Sequence, residues 1–130
     1  MSDEFVRDLG AGIDTMDASV FVRFLTKDAT FRFGNGDPVQ GRDAIRNYVD
    51  AFFQAIKSIR HDPLRVHEAG DFLIAEMNCT YVDRWNRTLK VPVCNVMMMR
   101  GQQISEYFIY IDNHELFVPP LSAQREAVSA

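Results

Sequence analysis

The sequence predicts an α+β fold in which a strongly curved, mostly antiparallel sheet wraps on three helices and encloses a conical cavity. Two observations predict it. Apolar residues recur mainly at helical spacing up to about residue 58, and from there to Leu116 the apolar period changes to two, as in strands. Because three helices cannot cover both faces of so long a sheet, we expect it to curl, with its outer face against a second copy of the chain.

Three segments carry the helical spacing. They are SDEFVRDLGAGI, MDASVFVRFLTKD and RDAIRNYVDAFFQAIKSI, and the last has the clearest apolar stripe. Between the second and the third, ATFRF alternates as a short strand and GNGDPVQG has the composition of a turn. The helices are therefore expected early in the chain, where one of them closes the curled sheet.

The second half of the chain is expected to form an antiparallel meander. Its predicted strands lie near residues 59–68, 72–85, 89–100 and 103–112. The domain is expected to span residues 1–118. The tail, residues 119–130, begins with a pair of prolines that end a strand, and it is expected to fray.

Composition argues against several classes of partner. The chain has 14 basic and 18 acidic residues, a balance that disfavours binding to nucleic acid or to an anionic membrane surface. No apolar run is long enough to span a bilayer, and the acidic start MSDEF is unlike a signal peptide. Two cysteines, Cys79 and Cys94, suit a reduced cytoplasmic protein, in which we expect them to be buried apolar fillers rather than nucleophiles.

Three motifs, FRFGNGDPVQGRDAI, YVDRW and ISEYFIYID, occur in an element order that resembles the nuclear transport factor 2-like superfamily, its SnoaL-like branch in particular. The resemblance covers the chain up to about Leu116 and implies a cystatin-like α+β barrel. This superfamily includes ketosteroid isomerases, polyketide cyclases, limonene epoxide hydrolases, dehydratases and members without catalytic activity. The resemblance therefore implies a fold more strongly than a function.

Two of these activities lack their residues in this chain. Where a ketosteroid isomerase has a Tyr on the first helix, this chain has Leu9. Where the isomerase has a protonated acid on the penultimate strand, this chain has Asn95. The acid in the last strand of SnoaL-type cyclases is replaced by Ile109. The resemblance thus disfavours an isomerase site and a direct copy of the cyclase site.

The limonene epoxide hydrolase pattern matches both of its acids. Asp83 matches the acid of its Arg-x-Asp motif, with Tyr81 in place of the Arg. Asp112 matches the second acid, which follows an Ile by eight residues as Asp112 follows Ile104. The Tyr and Asn that position water in that family correspond to Phe31 and Phe33 here. The resemblance therefore implies the carboxylate pair but not the water-binding residues.

The same two aspartates are candidates from the strand pattern alone. Alternation from Leu73 puts Asp83 at the end of an apolar row expected to line the cavity, and Asp112 follows an apolar strand in phase with Tyr110. Two carboxylates in one apolar pocket repel and lose hydration, so one is expected to stay protonated and supply an acid beside a base. The alternative for Asp112 is a turn residue next to Asn113.

The substrate-binding residues are expected to be aromatic walls and a few polar groups. The predicted set is Phe31, Phe33, Tyr48, Phe52, Tyr107 and Tyr110 as walls, with Tyr81 and Asn95 as hydrogen-bond donors and His61 as a pocket base or hydrogen-bonding group. No metal is expected, because the three histidines lack the spacing of zinc ligands.

These residues predict a cofactor-independent acid/base enzyme acting on a small hydrophobic, ring-bearing metabolite. The reaction classes are epoxide opening, dehydration, and cyclisation or isomerisation. The alternative is a noncatalytic module of the same fold that binds a small ligand or dimerises, which needs only the apolar cavity. The expected partners are thus a small hydrophobic molecule and a second copy of the chain.

Overall fold

The computed structural model describes residues 2–122 of the chain. Its α-helices are α1 (Ser2–Asp14), α2 (Ala18–Phe21) and α3 (Arg42–Gln54). Two short 3₁₀ helices lie at Val22–Phe24 and His114–Phe117. The strands are β1 (Leu25–Phe33), β2 (Val39–Gln40), β3 (Ile56–Ala69), β4 (Phe72–Asp83), β5 (Thr88–Arg100) and β6 (Gln103–Ile111). The part of the predicted tail from residue 123 onward lies outside the described residues.

The strands form a six-stranded sheet in the order β2-β1-β6-β5-β4-β3. The meander β3 to β6 is antiparallel throughout, and β1 pairs with β6 in parallel. Three helices and a curved, mostly antiparallel sheet confirm the predicted α+β class. No helix among residues 2–122 combines the length and the apolar character needed to cross a bilayer.

Two helices end earlier than the sequence pattern indicated. The second gives way at Leu25 to β1, because Leu25 pairs with Ile104 of β6 and joins the sheet. The third ends at Gln54, and Ile59 then pairs with Tyr81 of β4. In both places apolar residues whose spacing also suited a helix are buried in the sheet instead, a tertiary preference that the local pattern does not contain.

The inner face of the sheet carries the core. In β4 the residues from Leu73 to Asp83 are alternately buried and half-buried, as the period of two predicted. The helices cover this face with apolar stripes at helical spacing, which include Val6, Leu9 and Ile13 of α1 and Ile45, Val49 and Phe53 of α3. The inner rows of β4, β5 and β6 therefore define the walls of the molecule's interior.

Candidate functional site

An apolar cavity of about 40 Å³ lies between the inner face of the sheet and the helices. Its walls are mainly aromatic, with Phe31 and Phe33 from β1, Tyr48 and Phe52 from α3, and Tyr107 from β6. A site for one water needs roughly 10–15 Å³, so the cavity has room for about three waters. Any metabolite larger than that requires aromatic side chains of the wall to move.

His61 and Asp14 form the charged element of this site. Asp14 is the last residue of α1, and its Oδ1 lies 2.6 Å from the Nδ1 of His61 on β3. Its Oδ2 accepts the backbone N–H of His61 at 3.1 Å. Because Asp14 occupies Nδ1, the other ring nitrogen, Nε2, is the one that can serve Cys79 or a ligand in the cavity that both side chains line.

A glycine allows the helix to come this close to the strand. A Cβ built on Gly10 would lie 3.1 Å from the Cβ of His61. That is tighter than ordinary side-chain packing, so a larger residue here would push α1 away from β3. Since Asp14 is one turn further along α1, Gly10 helps to set the distance between the carboxylate and the imidazole.

His61 is protonated at neutral pH in this environment. Its side chain is only 7% exposed, and burial by itself lowers the pKa of a histidine. The hydrogen bonds to Asp14 and Cys79 act in the opposite direction and raise the pKa of His61 to about 9. The cavity thus contains an imidazolium that can donate a proton through Nε2 and take one back.

Three further polar side chains line the cavity. Burial raises the pKa of the Tyr81 and Tyr107 hydroxyls, and nearby Cys79 adds to both shifts, so both stay protonated at physiological pH. Among the described residues, neither the Tyr107 hydroxyl nor the Asn95 amide nitrogen has a hydrogen-bond partner, although both side chains are buried. A buried donor without a partner is costly. A ligand oxygen in the cavity would satisfy these two donors.

The structure places most of the predicted binding residues in the wall of this one cavity. They are Phe31, Phe33, Tyr48, Phe52, Tyr81, Asn95, Tyr107 and His61. The placement of Tyr110 in the wall is wrong: it is 49% exposed on the outer face, with the Arg32 guanidinium 5.5 Å above its ring. The reason is the phase of β6, in which Tyr107 and Ile109 face inward and the residue after Ile109 faces outward.

Asp83 ends the inner row of β4, as predicted, but its carboxylate does not line the cavity. It accepts hydrogen bonds from the backbone N–H groups of Trp85 and Arg87 at 3.0 and 2.8 Å, and from Arg87 Nε at 2.8 Å. Burial alone would raise the pKa of Asp83, but these hydrogen bonds lower it below its usual value. Asp83 is therefore ionised, and its oxygens are engaged in the turn between β4 and β5.

Asp112 lies outside the cavity, so its predicted position facing a shared apolar pocket is wrong. It is exposed, and its Oδ1 accepts the backbone N–H of His114 at 3.3 Å in the turn after β6. β6 ends at Ile111. Asp112 therefore lies beyond the strand, in the turn that leads to the 3₁₀ helix His114–Phe117. The alternative interpretation, a turn residue, describes its position.

The predicted pair of aspartates is therefore not assembled, and the residue that sequence reasoning missed is Asp14. One local signal marks it: an acid in the last turn of α1 lies at the negative end of the helix dipole, where a carboxylate is unfavourable. A carboxylate in such a position is stabilised by a cationic partner. Its partner, His61, is 47 residues away in sequence, so no local pattern could identify the pair.

A scan of protein families matches a SnoaL-like domain over residues 6–107. Among solved structures, one similar chain is a putative SnoaL-like polyketide cyclase from Jannaschia sp. CCS1, with 17% identity and a TM-score of 0.77 over 92% of this chain and 93% of that one. Another is an epoxide hydrolase/cyclase-like enzyme described in pyran ring formation in the polyether salinomycin, with 17% identity and a TM-score of 0.74 over 85% and 90% of the two chains.

A third is a hypothetical protein with a ketosteroid isomerase-like fold from Catenulispora acidiphila DSM 44928, with 18% identity and a TM-score of 0.76 over 82% of this chain and 84% of that one. Curated proteins gave no significant match. At these identities the structural likeness speaks for the fold alone. The family match covers most of the chain, and on that ground the protein belongs to the SnoaL-like domain family of the nuclear transport factor 2-like superfamily.

Proposed function

We propose that the protein is a cofactor-independent acid/base enzyme that breaks or forms a carbon–oxygen bond in a small hydrophobic, ring-bearing compound. The observation that carries the proposal is the His61–Asp14 pair, whose imidazole Nδ1 lies 2.6 Å from the carboxylate while the ring lines an apolar cavity. A buried imidazolium oriented by a carboxylate is a typical general acid. The proposal thus keeps the expected chemistry and moves it from the two predicted aspartates to His61, which was predicted as a pocket base or hydrogen-bonding group, and to Asp14, which was not predicted.

The proton transfer follows from this geometry. Nε2 of His61 donates its proton to the substrate oxygen as the carbon–oxygen bond breaks, and the neutral ring then recovers a proton from the attacking or departing group. Asp14 holds the ring and stabilises its charged form. Asn95 and Tyr107, whose donors lack partners in the described structure, would bind a second oxygen on which negative charge develops. Epoxide opening, dehydration and cyclisation all use this sequence of steps.

The related proteins are consistent with this chemistry. One solved relative is a putative polyketide cyclase, and another is an epoxide hydrolase/cyclase-like enzyme that takes part in forming a pyran ring. The first description names a cyclase, and the second names the formation of an oxygen-containing ring, pyran. For this chain we therefore propose a cyclic epoxide, a hydroxyketone or a similar oxygenated ring precursor as the substrate class.

Noncatalytic binding of a small ligand is the second candidate. Its specific support is the wall of the cavity, which is mainly aromatic and apolar. Such a cavity binds small hydrophobic molecules without any chemistry. The two candidates differ in what they require of His61: catalysis needs its proton, whereas binding needs only its shape.

A turnover screen separates them. Cyclic epoxides, β-hydroxyketones and hydroxy-enones would be incubated with the wild-type protein, His61→Gln and Asp14→Asn, with products followed by mass spectrometry and binding by ligand-observed NMR. The enzyme proposal expects turnover that both substitutions lower strongly and that Asp112→Asn, a matched exposed control, leaves unchanged. Binding without turnover in every case would establish the second candidate.

We also propose that the protein is a cytoplasmic homodimer formed through the outer face of the sheet. Ile74, Val96 and Phe108 are direct cross-strand neighbours on that face, and Phe72 beside them is 43% exposed. A contiguous apolar face of this kind is typical of a protein interface. Light scattering should give twice the chain mass at micromolar concentration, and Val96→Glu should give the monomer. A monomeric wild-type protein would contradict the dimer.

A further inference from the structure

The proposed acid/base chemistry leaves one group of the cavity without a role, the thiol of Cys79. Cys79 is 1% exposed to solvent and lines the cavity. On the paired strands β3 and β4 it stands directly opposite His61, and its hydrogen bond to the imidazole contributes to the raised pKa of that ring. An inert filler among apolar residues would have no such partner.

The three side chains are in the order that activates a nucleophile. Asp14 holds the edge of the imidazole at Nδ1, and Cys79 is the cross-strand neighbour of His61 in the wall of the same cavity. A nucleophile within reach of a base that is itself oriented by a third group is the general signature of nucleophilic catalysis. The arrangement needs no shift of the backbone, because cross-strand pairing already sets the thiol and the ring side by side.

A second observation points to a ligand in the same cavity. The Asn95 amide nitrogen and the Tyr107 hydroxyl lack hydrogen-bond partners among the described residues, and both side chains are 1% exposed. They are diagonal neighbours on β5 and β6, since Asn95 pairs with Ile109 and Met97 with Tyr107. Two adjacent donors in an apolar wall suit one carbonyl oxygen of a ligand.

We infer that Cys79 is a reactive thiol and that the cavity covalently captures small α,β-unsaturated carbonyl compounds, with His61 as the proton carrier and Asn95 and Tyr107 as donors to the carbonyl oxygen. This inference rests on the Asp14–His61 pair of the proposed function but not on turnover. It goes beyond that function because it assigns a covalent site.

The addition balances without any further reagent. The sulfur of Cys79 forms a bond to the β-carbon of the enone as the carbon–carbon π bond breaks, and its proton leaves to solvent, a loss that the neighbouring imidazolium of His61 favours. The electron pair moves onto the carbonyl oxygen as an enolate, which the two donors stabilise. The imidazolium gives its Nε2 proton to the α-carbon and regains one from solvent, which leaves a saturated thioether and His61 in its starting state.

The electrophile class follows from the walls and from the thiol. Aromatic side chains such as Phe31 and Phe52 favour a planar apolar molecule, and the cavity volume of about 40 Å³ favours a small one. Sulfur is a soft nucleophile that prefers a conjugated carbon to a hard carbonyl carbon. A short enone meets all three conditions.

The chain contains its own matched control. Cys94 is half-buried on the opposite face of the sheet, directly across from Glu76. Burial and the charge of Glu76 raise the pKa of the Cys94 thiol, which lowers the fraction present as thiolate. Any general effect of reagent or pH acts on both cysteines, whereas the effect of His61 acts on Cys79 alone.

The test uses the full chain and methyl vinyl ketone as the probe, with adducts located by peptide mass spectrometry over time at pH 7.5. We expect Cys79 to react roughly tenfold faster than Cys94 or more, because an ordinary thiol is only a few per cent thiolate near pH 7. His61→Gln should remove most of that advantage and leave the Cys94 rate unchanged, with folding verified by circular dichroism. Cys79→Ser should show an adduct at Cys94 only.

The opposite pattern would overturn the inference. A native Cys79 that reacts no faster than Cys94, or a Cys79 rate that His61→Gln does not change, would make it a structural filler. Because alkylation is measured without any substrate, its failure is distinct from that of the turnover screen. A protein with turnover but a silent thiol would keep the proposed function alone, and a protein with a reactive thiol but no turnover would keep this inference alone.

Discussion

Two of the carboxylate–cation pairs among the described residues include a buried side chain, and they differ in the hydrogen bonds that their cations make elsewhere. Asp83 and Arg87 are 2.8 Å apart at the turn after β4, and Asp14 and His61 are 2.6 Å apart beside the cavity. Asp83 is 0% exposed and His61 is 7% exposed, so each pair includes a group removed from water. Burial and charge alone therefore do not distinguish them.

The difference lies in the remaining hydrogen bonds. Arg87 uses Nε for Asp83 and Nη2 for the carbonyl oxygens of Glu115 and Val118, at 2.8 and 2.6 Å. It thereby ties the β4–β5 turn to the segment that follows β6. His61 uses Nδ1 for Asp14 and directs the rest of its ring at the cavity and Cys79. The hydrogen bonds of Arg87 within the protein hold the fold together, whereas the side of the His61 ring that faces the cavity is available for chemistry.

The largest expected effect is on stability at the closed pair. Asp83→Ala leaves Arg87 and two backbone N–H groups without their acceptor, and it should lower the free energy of unfolding by about 3 kcal/mol or more. Urea titration followed by fluorescence measures the change. Asp112→Ala, which removes an exposed aspartate at a neighbouring turn, is the control. A loss at Asp83 no larger than at Asp112 would mean that the two pairs do not differ in the way described.

The second effect is on activity at the open pair. His61→Gln keeps a hydrogen-bonding side chain of similar reach but removes the proton transfer. Activity on a substrate found in the screen should therefore fall by on the order of a hundredfold. Steady-state kinetics should place the loss in kcat more than in KM. An active His61→Gln protein would end the role of His61 as the acid and leave the cavity as a binding site.

The third effect is on the pH dependence of stability. Because folding raises the pKa of His61 from 6.5 to about 9, its stabilising contribution is fully present below pH 6.5 and is lost as the pH rises through about 9. The lowered pKa of Asp83 has the opposite consequence: its contribution is present above 3.8 and is lost as the pH falls through the lowered value. The His61 pair thus changes the stability at alkaline pH, and the Asp83 pair changes it at acid pH.

Asp14→Asn distinguishes these two contributions. It should return the pKa of His61 toward 6.5 in an NMR titration and flatten the alkaline side of the stability curve, leaving the acid side as in the wild type. The unfolding free energy at pH 6, 8 and 10 measures the slope. If the alkaline slope persists in Asp14→Asn, the raised pKa has a cause other than this carboxylate.

The smallest effect is expected at Asp112. Its carboxylate accepts one backbone N–H in an exposed turn, a role that Asn fills well, so Asp112→Asn should keep full activity and stability. Asp112→Ala should cost about 1 kcal/mol of unfolding free energy or less. Thermal melts and the same turnover assay measure both. A large loss of activity in Asp112→Asn would restore the predicted catalytic role of this aspartate.

Much of this molecule could be predicted because its elements are strongly periodic. The change of apolar period from helical to two indicated the α+β class and the four long strands to within a few residues. The same alternation placed residues of β4 such as Tyr81 on the inner face. Within a regular strand the two faces alternate strictly, so a single well-phased residue determines the orientation of all the others.

The predictions were wrong where that regularity ends. Tyr110 lies near the end of β6, where a phase error of one residue moves a side chain to the opposite face, and Asp112 lies just beyond the strand. Asp83 was given the correct face, but hydrogen bonds to Trp85 and Arg87 in the following turn direct its carboxylate away from the cavity. Turn geometry of this kind depends on several residues together and is not contained in the alternation.

The sequence by itself determined the class of fold, the aromatic character of the cavity and most of the residues that form its walls. Only the tertiary structure decided which carboxylate contacts a side chain of the cavity wall. Asp14 and His61 come from a helix and a strand 47 residues apart, and their contact depends on the close approach that Gly10 allows. Periodicity reports the environment of one element at a time. The chemistry of this site arises from the distance between two elements, which is set by packing.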